Sequence, residues 1–291
     1  MALMRDLAPR LAVAVALIVP LLGSPSYAQT THAPGGKHHA AKSHSHAPKP
    51  SMLGDAKPFH VSFSAGGHTV RVEVFRGRSL KSAAAPGGRV LERQPAVIML
   101  HGAGGVGGGL MIYPQAEALA AKGITAFVVD YYDGLPAKTQ AKASPALFNQ
   151  RDQVIEDALN FVADQPYVEP EAIGFYGISL GGFHGLSIAA HDPRVRALVD
   201  VFGALPVTMT SSLTHMPPTL ILHGAHDPIV PVARSKWLDR QLEQLGVQHE
   251  LVVYKDQGHC FYGASLADSI DRTTRFFESH LTREEDPRDP A

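Results

Sequence analysis

The rhythm of apolar and polar positions changes along this chain, and the changes mark its parts. Phe59-His60-Val61-Ser62-Phe63 and Val70-Arg71-Val72-Glu73-Val74 alternate with period two on either side of Gly66-Gly67. Successive side chains of a strand face opposite ways, so this stretch predicts an antiparallel hairpin around a glycine turn. From Ala96 the alternation stops. Ala96-Val97-Ile98-Met99-Leu100 is continuously apolar, and similar runs predict strands over 124–129, 172–176, 197–202, 219–222 and 250–254. Helices are predicted between them: over 114–122, around Val154, Ile155, Ala158, Leu159 and Val162, after Gly181, over 232–245 and over 266–280. Continuous apolar strands alternating with helices imply an α/β fold: a mostly parallel twisted sheet with helices on both faces, opened by the antiparallel hairpin.

The ends of the chain do not share this pattern. Arg5 and Arg10 precede or begin an apolar run over 11–22, and Ser26-Tyr27-Ala28 offers a small-x-Ala cleavage pattern, so residues 1–28 are expected to be a signal peptide. An uncleaved anchor is disfavoured, because Pro20 interrupts a run shorter than the ~20 apolar residues a spanning helix needs. The mature protein is therefore expected outside the cytoplasm, periplasmic or secreted, without stable membrane insertion. Residues 29–55, with His32, His38, His39, His44 and His46 among Pro, Gly and Ser, have little to bury and read as a disordered linker. Imidazoles bind metals, but no carboxylate or thiol lies nearby to fix a geometry, so a solvated spacer is expected. The catalytic domain is then 56–281, and 282–291 a charged, frayed tail.

Composition narrows the partners. With 26 Lys plus Arg against 27 Asp plus Glu, no summed field draws the chain to nucleic acid or an anionic membrane, which leaves small molecules. At 291 residues and 45% hydrophobic, one sizeable core is affordable. Cys260 is the single cysteine, so no internal disulfide can form and packing must hold the fold.

The chemistry starts at Gly177-Ile178-Ser179-Leu180-Gly181, a G-x-S-x-G placed between a predicted strand and a predicted helix. A serine on so sharp a turn needs small neighbours and presents its hydroxyl off the sheet edge, which makes Ser179 the candidate nucleophile. A hydroxyl is weak at neutral pH and needs a base held by an acid. Asp227, in HGAHDPIVP after one strand, and His259, in YKDQGHCFYG after the next, supply these in the chain order Ser, Asp, His of an α/β-hydrolase fold. The other histidines fail on position: His226 adjoins Asp227, His249 precedes its strand, His280 lies on the last helix, and His184 and His191 are expected to cap or face solvent. Asp256 shares a loop with His259 and is expected to stay solvated. Cys260 is expected to be a small buried residue pointing away from His259.

Acyl transfer also needs two N–H groups aimed at the oxyanion. Leu180, directly after the nucleophile, is one; Ala103, in His101-Gly102-Ala103-Gly104-Gly105, is the other, with Gly104 in reserve and His101 bracing the loop. The same loop meets a rival pattern, since Gly102 to Gly107 satisfies G-x-G-x-x-G and Asp130 ends the next strand. A nucleotide-binding protein is the alternative on those residues, and a silent binding protein on the same fold is another. Against the first, the next helix starts near Pro114, too late to receive a pyrophosphate. Tyr131, Tyr132, Asp133 and the segment 134–145 are candidates for pocket lining, while Arg151 is expected to pair with an acid on its helix.

Together GFYGISLGGFHGL, LILHGAHDPIVP and YKDQGHCFYG resemble the dienelactone hydrolase family of the α/β-hydrolases, from about residue 58 to 280. The resemblance implies a single-domain hydrolase with a small, open pocket, cutting lactones or short carboxylic esters without metal or organic cofactor. Members proper carry cysteine at the position of Ser179 and a glutamate in the loop after the first parallel strand, where this chain reads HGAGGVGGG. The chain is therefore expected to be a serine-nucleophile esterase or lactonase of that kind.

Overall fold

The computed structural model describes residues 57–78, 93–108, 111–136, 144–206, 209, 213 and 215–282. The expected signal peptide, the histidine-rich linker up to residue 55 and the tail beyond residue 282 lie outside them.

The hairpin forms where the alternation places it. Strands β1 (Phe59–Ala65) and β2 (His68–Phe75) pair antiparallel, Phe59 opposite Val74 and Ala65 opposite His68. Gly66 and Gly67 both take positive φ in the turn, a region that side chains with a Cβ resist. Val70, Val72 and Val74 are buried while Arg71 between them is exposed, which is the period-two rule at work.

Six further strands complete the sheet: β3 (Gln94–Leu100), β4 (Thr125–Val129), β5 (Val168–Ile178), β6 (Val195–Val201), β7 (Thr219–Gly224) and β8 (His249–Tyr254). Their order is β1-β2-β4-β3-β5-β6-β7-β8, with β2 antiparallel to β4 and every pair from β4 to β8 parallel. β5 runs longer than its apolar run predicts, reaching back to Val168, where it meets Gln94 after a register shift.

Among the described residues, five helices cover the sheet: α1 (Ile112–Ala121), α2 (Pro145–Ala163), α3 (Leu180–Ala189), α4 (Ala233–Gln244) and α5 (Gly263–Leu281). Alternate residues of β3 feed opposite faces. Val97 and Met99 pack with Ile112 and Leu119 of α1 and Phe277 of α5. Ile98 and Leu100 pack with Val154 of α2, Leu186 of α3 and Leu238 of α4. α2 begins at a cap legible in sequence, Ser144 accepting the Leu147 N–H with Pro145 at the first helical position. Among the described residues, no helix is long and apolar enough to cross a membrane.

Candidate active site

Parallel strands put their C-terminal ends on one edge, and the loops leaving that edge build the site. His101 follows β3, Ser179 follows β5, Asp227 follows β7 and His259 follows β8. These positions lie far apart in sequence, and the sheet brings them together.

Ser179 occupies the turn between β5 and α3 at φ 54 and ψ −117, one of two non-glycine residues with positive φ among those described. The strain is held from both sides: its N–H donates to the Val201 carbonyl at 2.9 Å and its carbonyl accepts the Phe183 N–H. Its hydroxyl stands 2.9 Å from His259 Nε2, and His259 Nδ1 lies 2.7 Å from Asp227 Oδ2. Nδ1 therefore donates to the carboxylate, which leaves Nε2 as the acceptor for the serine proton.

Asp227 is surrounded by donors. The Ile229 and Val230 N–H groups donate to Oδ1 at 2.8 and 2.9 Å, and His223 Nε2 lies 3.3 Å from Oδ2. Burial alone raises this carboxyl, but hydrogen bonds from His223 and His259 and from the two backbone amides outweigh it and hold it well below the usual carboxylate range. Asp227 thus stays an anion at any ordinary pH. His223, fully buried, also meets the Val230 carbonyl at 2.8 Å through Nε2 and Ser235 Oγ at 2.6 Å through Nδ1, so the ring orients the Asp227 turn from beneath.

The glycine-rich loop after β3 lies against the serine. A Cβ on Gly102 would sit 3.4 Å from Ser179 Cβ. The Gly102 carbonyl faces His101 Nδ1 at 2.7 Å and also accepts the Gly105 N–H. In a planar trans peptide the N–H opposes the carbonyl, so the Ala103 N–H is directed away from the His101 ring. Two tyrosines from the loop after β4 tether the same segment: Tyr131 donates to the His101 carbonyl at 2.7 Å and Tyr132 to the Ala103 carbonyl at 3.1 Å. Leu180 is the first residue of α3, where a backbone N–H has no partner within the helix. The loop continues into a 3-10 turn over Val106–Gly108, and α1 starts only at Ile112, so no helix N-terminus crowns the glycines as a dinucleotide requires.

Beneath the turn, the Asp200 side chain of β6 lies between two glycines, its Oδ1 2.2 Å from where a Cβ on Gly182 would stand and 2.1 Å from one on Gly203. Burial raises its carboxyl to about 7, against the pull of His223 and a backbone N–H at Gly203. An ordinary carboxylate ionises near 3.9, so the unfolded chain releases this proton first. Asp200's contribution to stability is therefore complete below about pH 4 and is lost as pH climbs to about 7. Urea midpoints measured over that range are expected to fall in the wild type relative to Asp200→Asn, by on the order of 4 kcal/mol in unfolding free energy. Parallel pH curves would show that the group titrates alike in both states.

A model of the dienelactone hydrolase family matches residues 82–279, about two-thirds of the chain, and spans Ser179, Asp227 and His259. The chain belongs to the dienelactone hydrolase family. The fold agrees: the structure of a dienelactone hydrolase from Anabaena variabilis superposes with a TM-score of 0.59 over 78% of this chain and 99% of that one, at 22% identity. A puromycin-hydrolyzing peptidase from Mycobacterium tuberculosis superposes with a TM-score of 0.63 over 84% of this chain and 42% of its own, at 17% identity. Acyl-coenzyme A thioesterase 1 of Rattus norvegicus is 33% identical over 135 residues, which are 45% of this chain and 29% of that protein. The chain thus spans less than a third of that curated relative.

Within this family member, His184 and Cys260 stand elsewhere than the sequence places them. His184 neither caps nor faces solvent: it is fully buried, with Nδ1 2.7 Å from Asp152 Oδ1 and its ring stacked on Phe148 at 4.2 Å. α3 packs across the central strands β3, β5 and β6 with nearly every side buried, so its histidine has no water to meet. Burial lowers the His184 pKa, against the hydrogen bond to Asp152. Cys260 is exposed rather than buried, at the rim of the cavity. The loop after β8 alternates there, and Phe261 takes the inward place beside it. Tyr131 and Tyr132 are tethers instead of pocket lining, and Asp133 turns outward to Arg71 at 2.7 Å. Asp256 is exposed, as expected. Arg151 is buried with its guanidinium 5.0 Å over the Tyr132 ring. The role of His223 under Asp227 escaped sequence reasoning, although its place at the inward end of β7, four residues before the acid, was a usable signal.

Proposed function

We propose that this protein is a serine hydrolase that cleaves carboxylic esters or lactones through an acyl-enzyme on Ser179. The observation that carries the proposal is the hydrogen-bonded chain from Ser179 Oγ through His259 to Asp227, at 2.9 and 2.7 Å, at the mouth of a cavity. His259 Nε2 takes the hydroxyl proton as Oγ attacks the acyl carbon, and the carbonyl oxygen becomes an oxyanion held by the Ala103 and Leu180 N–H groups. The carbon–oxygen bond to the leaving group then breaks, and the leaving alkoxide receives the proton from His259. Water, deprotonated by the same nitrogen, attacks the acyl-serine; the acyl carbon–Oγ bond breaks, Oγ takes the proton back from His259, and the acid is released. Asp227 stabilises the imidazolium formed in each half-reaction. Metal and organic cofactor have no part in this scheme.

A thioester is the second class, favoured by the likeness to an acyl-coenzyme A thioesterase; the same steps serve with a thiolate leaving group. The pattern at residues 1–28 supports action outside the cytoplasm after the leader is removed. The test pairs a fluorophosphonate label with turnover of p-nitrophenyl esters and acyl thioesters. One adduct per chain, mapped to Ser179 and abolishing turnover, is expected. A label on Cys260, or turnover that survives full labelling of Ser179, would overturn the mechanism.

A further inference from the structure

We propose that the cavity selects neutral acyl groups and rejects substrates carrying a charge on the acyl side; this deepens the esterase reading above and rests on it. The cavity, about 390 Å³, opens over Ser179 and His259. Its walls come from distant parts of the chain: Met111 beside α1, Ile178 and Phe202 at the ends of β5 and β6, Ile229 after β7, Phe261 and Leu266 after β8. The glycine-rich loop contributes backbone and the Ala103 methyl. Among the described residues that line it there is no Asp, Glu, Lys or Arg. A pocket of this size with apolar walls and a few convergent polar groups is the usual form of a small-molecule site.

Among the described residues, the arginines near the loop after β4 are engaged elsewhere. Arg71 is held by Asp130 and Asp133 at 3.1 and 2.7 Å on the outer side of the sheet edge. Arg151 is buried against the Tyr132 ring. Against the described lining, a carboxylate on the acyl chain would therefore lose its water without gaining a counter-charge, and an ammonium would do the same. A methylene chain meets only matching surface. The discrimination comes from unpaired charge, which penalises substrates far more strongly than a missing methylene does.

The experiment uses p-nitrophenyl methyl adipate and p-nitrophenyl hydrogen adipate at pH 8, which differ in one methyl group and one charge. kcat/KM is expected to be at least about 100-fold higher for the neutral ester. Leu266→Arg, which places a cation in the wall, is expected to narrow that ratio at least about 10-fold by speeding the anionic substrate. If the variant fails to fold, the wild-type ratio alone decides. Ratios within about 3-fold would overturn the selectivity while leaving the esterase intact. Hydrolysis of neither substrate would overturn the esterase reading and the selectivity with it.

Discussion

Replacing Ser179 by alanine is expected to lower kcat/KM for p-nitrophenyl esters by about 10,000-fold or more, with the fold unchanged by circular dichroism. Only the hydroxyl is removed: His259 Nε2 loses its partner at 2.9 Å, while Nδ1 keeps its 2.7 Å bond to Asp227. With the three side chains acting as one unit, as proposed, adding His259→Ala to Ser179→Ala is expected to cost almost nothing further. A glycine at the same position separates chemistry from strain. Ser179→Gly removes the nucleophile equally but relieves a φ of 54, so it is expected to be inactive and more stable than Ser179→Ala by about 1 kcal/mol. Activity within 10-fold of wild type in either variant would remove the serine from the mechanism.

The second large effect concerns the turn itself. A Cβ on Gly181 would stand 2.2 Å from the Leu100 carbonyl oxygen, an atom of the central sheet that cannot rotate away. Gly181→Ala is expected to destabilise the protein by at least about 3 kcal/mol, a large share of the 5–15 kcal/mol that typically separates folded from unfolded chains. The reading is the urea midpoint, with soluble yield beside it. A loss under about 1 kcal/mol would mean that α3 can shift away from β3 without harm.

The two predictions separate what sequence could tell from what it could not. Every described strand was visible as an apolar run or an alternation, because β-residues declare their faces through period two or through complete burial. The order Ser179, Asp227, His259 was visible because each follows a strand on the same sheet edge, and parallel topology makes those ends neighbours. His184 was misplaced because its helix, LGGFHGLSIA, is buried nearly all round and has no polar face against which to read a phase. Cys260 was misplaced because loop residues carry no such period until the backbone is known. The bracing by Tyr131, Tyr132 and His223 was hidden for a different reason. It consists of hydrogen bonds between residues up to 30 positions apart, and nothing local distinguishes a bracing tyrosine from a lining one.

The uncharged wall has a further consequence, for the end of the catalytic cycle. On the proposed reading, hydrolysis turns a neutral acyl group into a carboxylate inside a cavity whose described lining holds no lysine or arginine. The same surface that welcomes the ester gives its acid no counter-ion, and the freshly made anion is better solvated in water. On the proposed esterase reading, product departure is thereby favoured by the reaction's own change of charge.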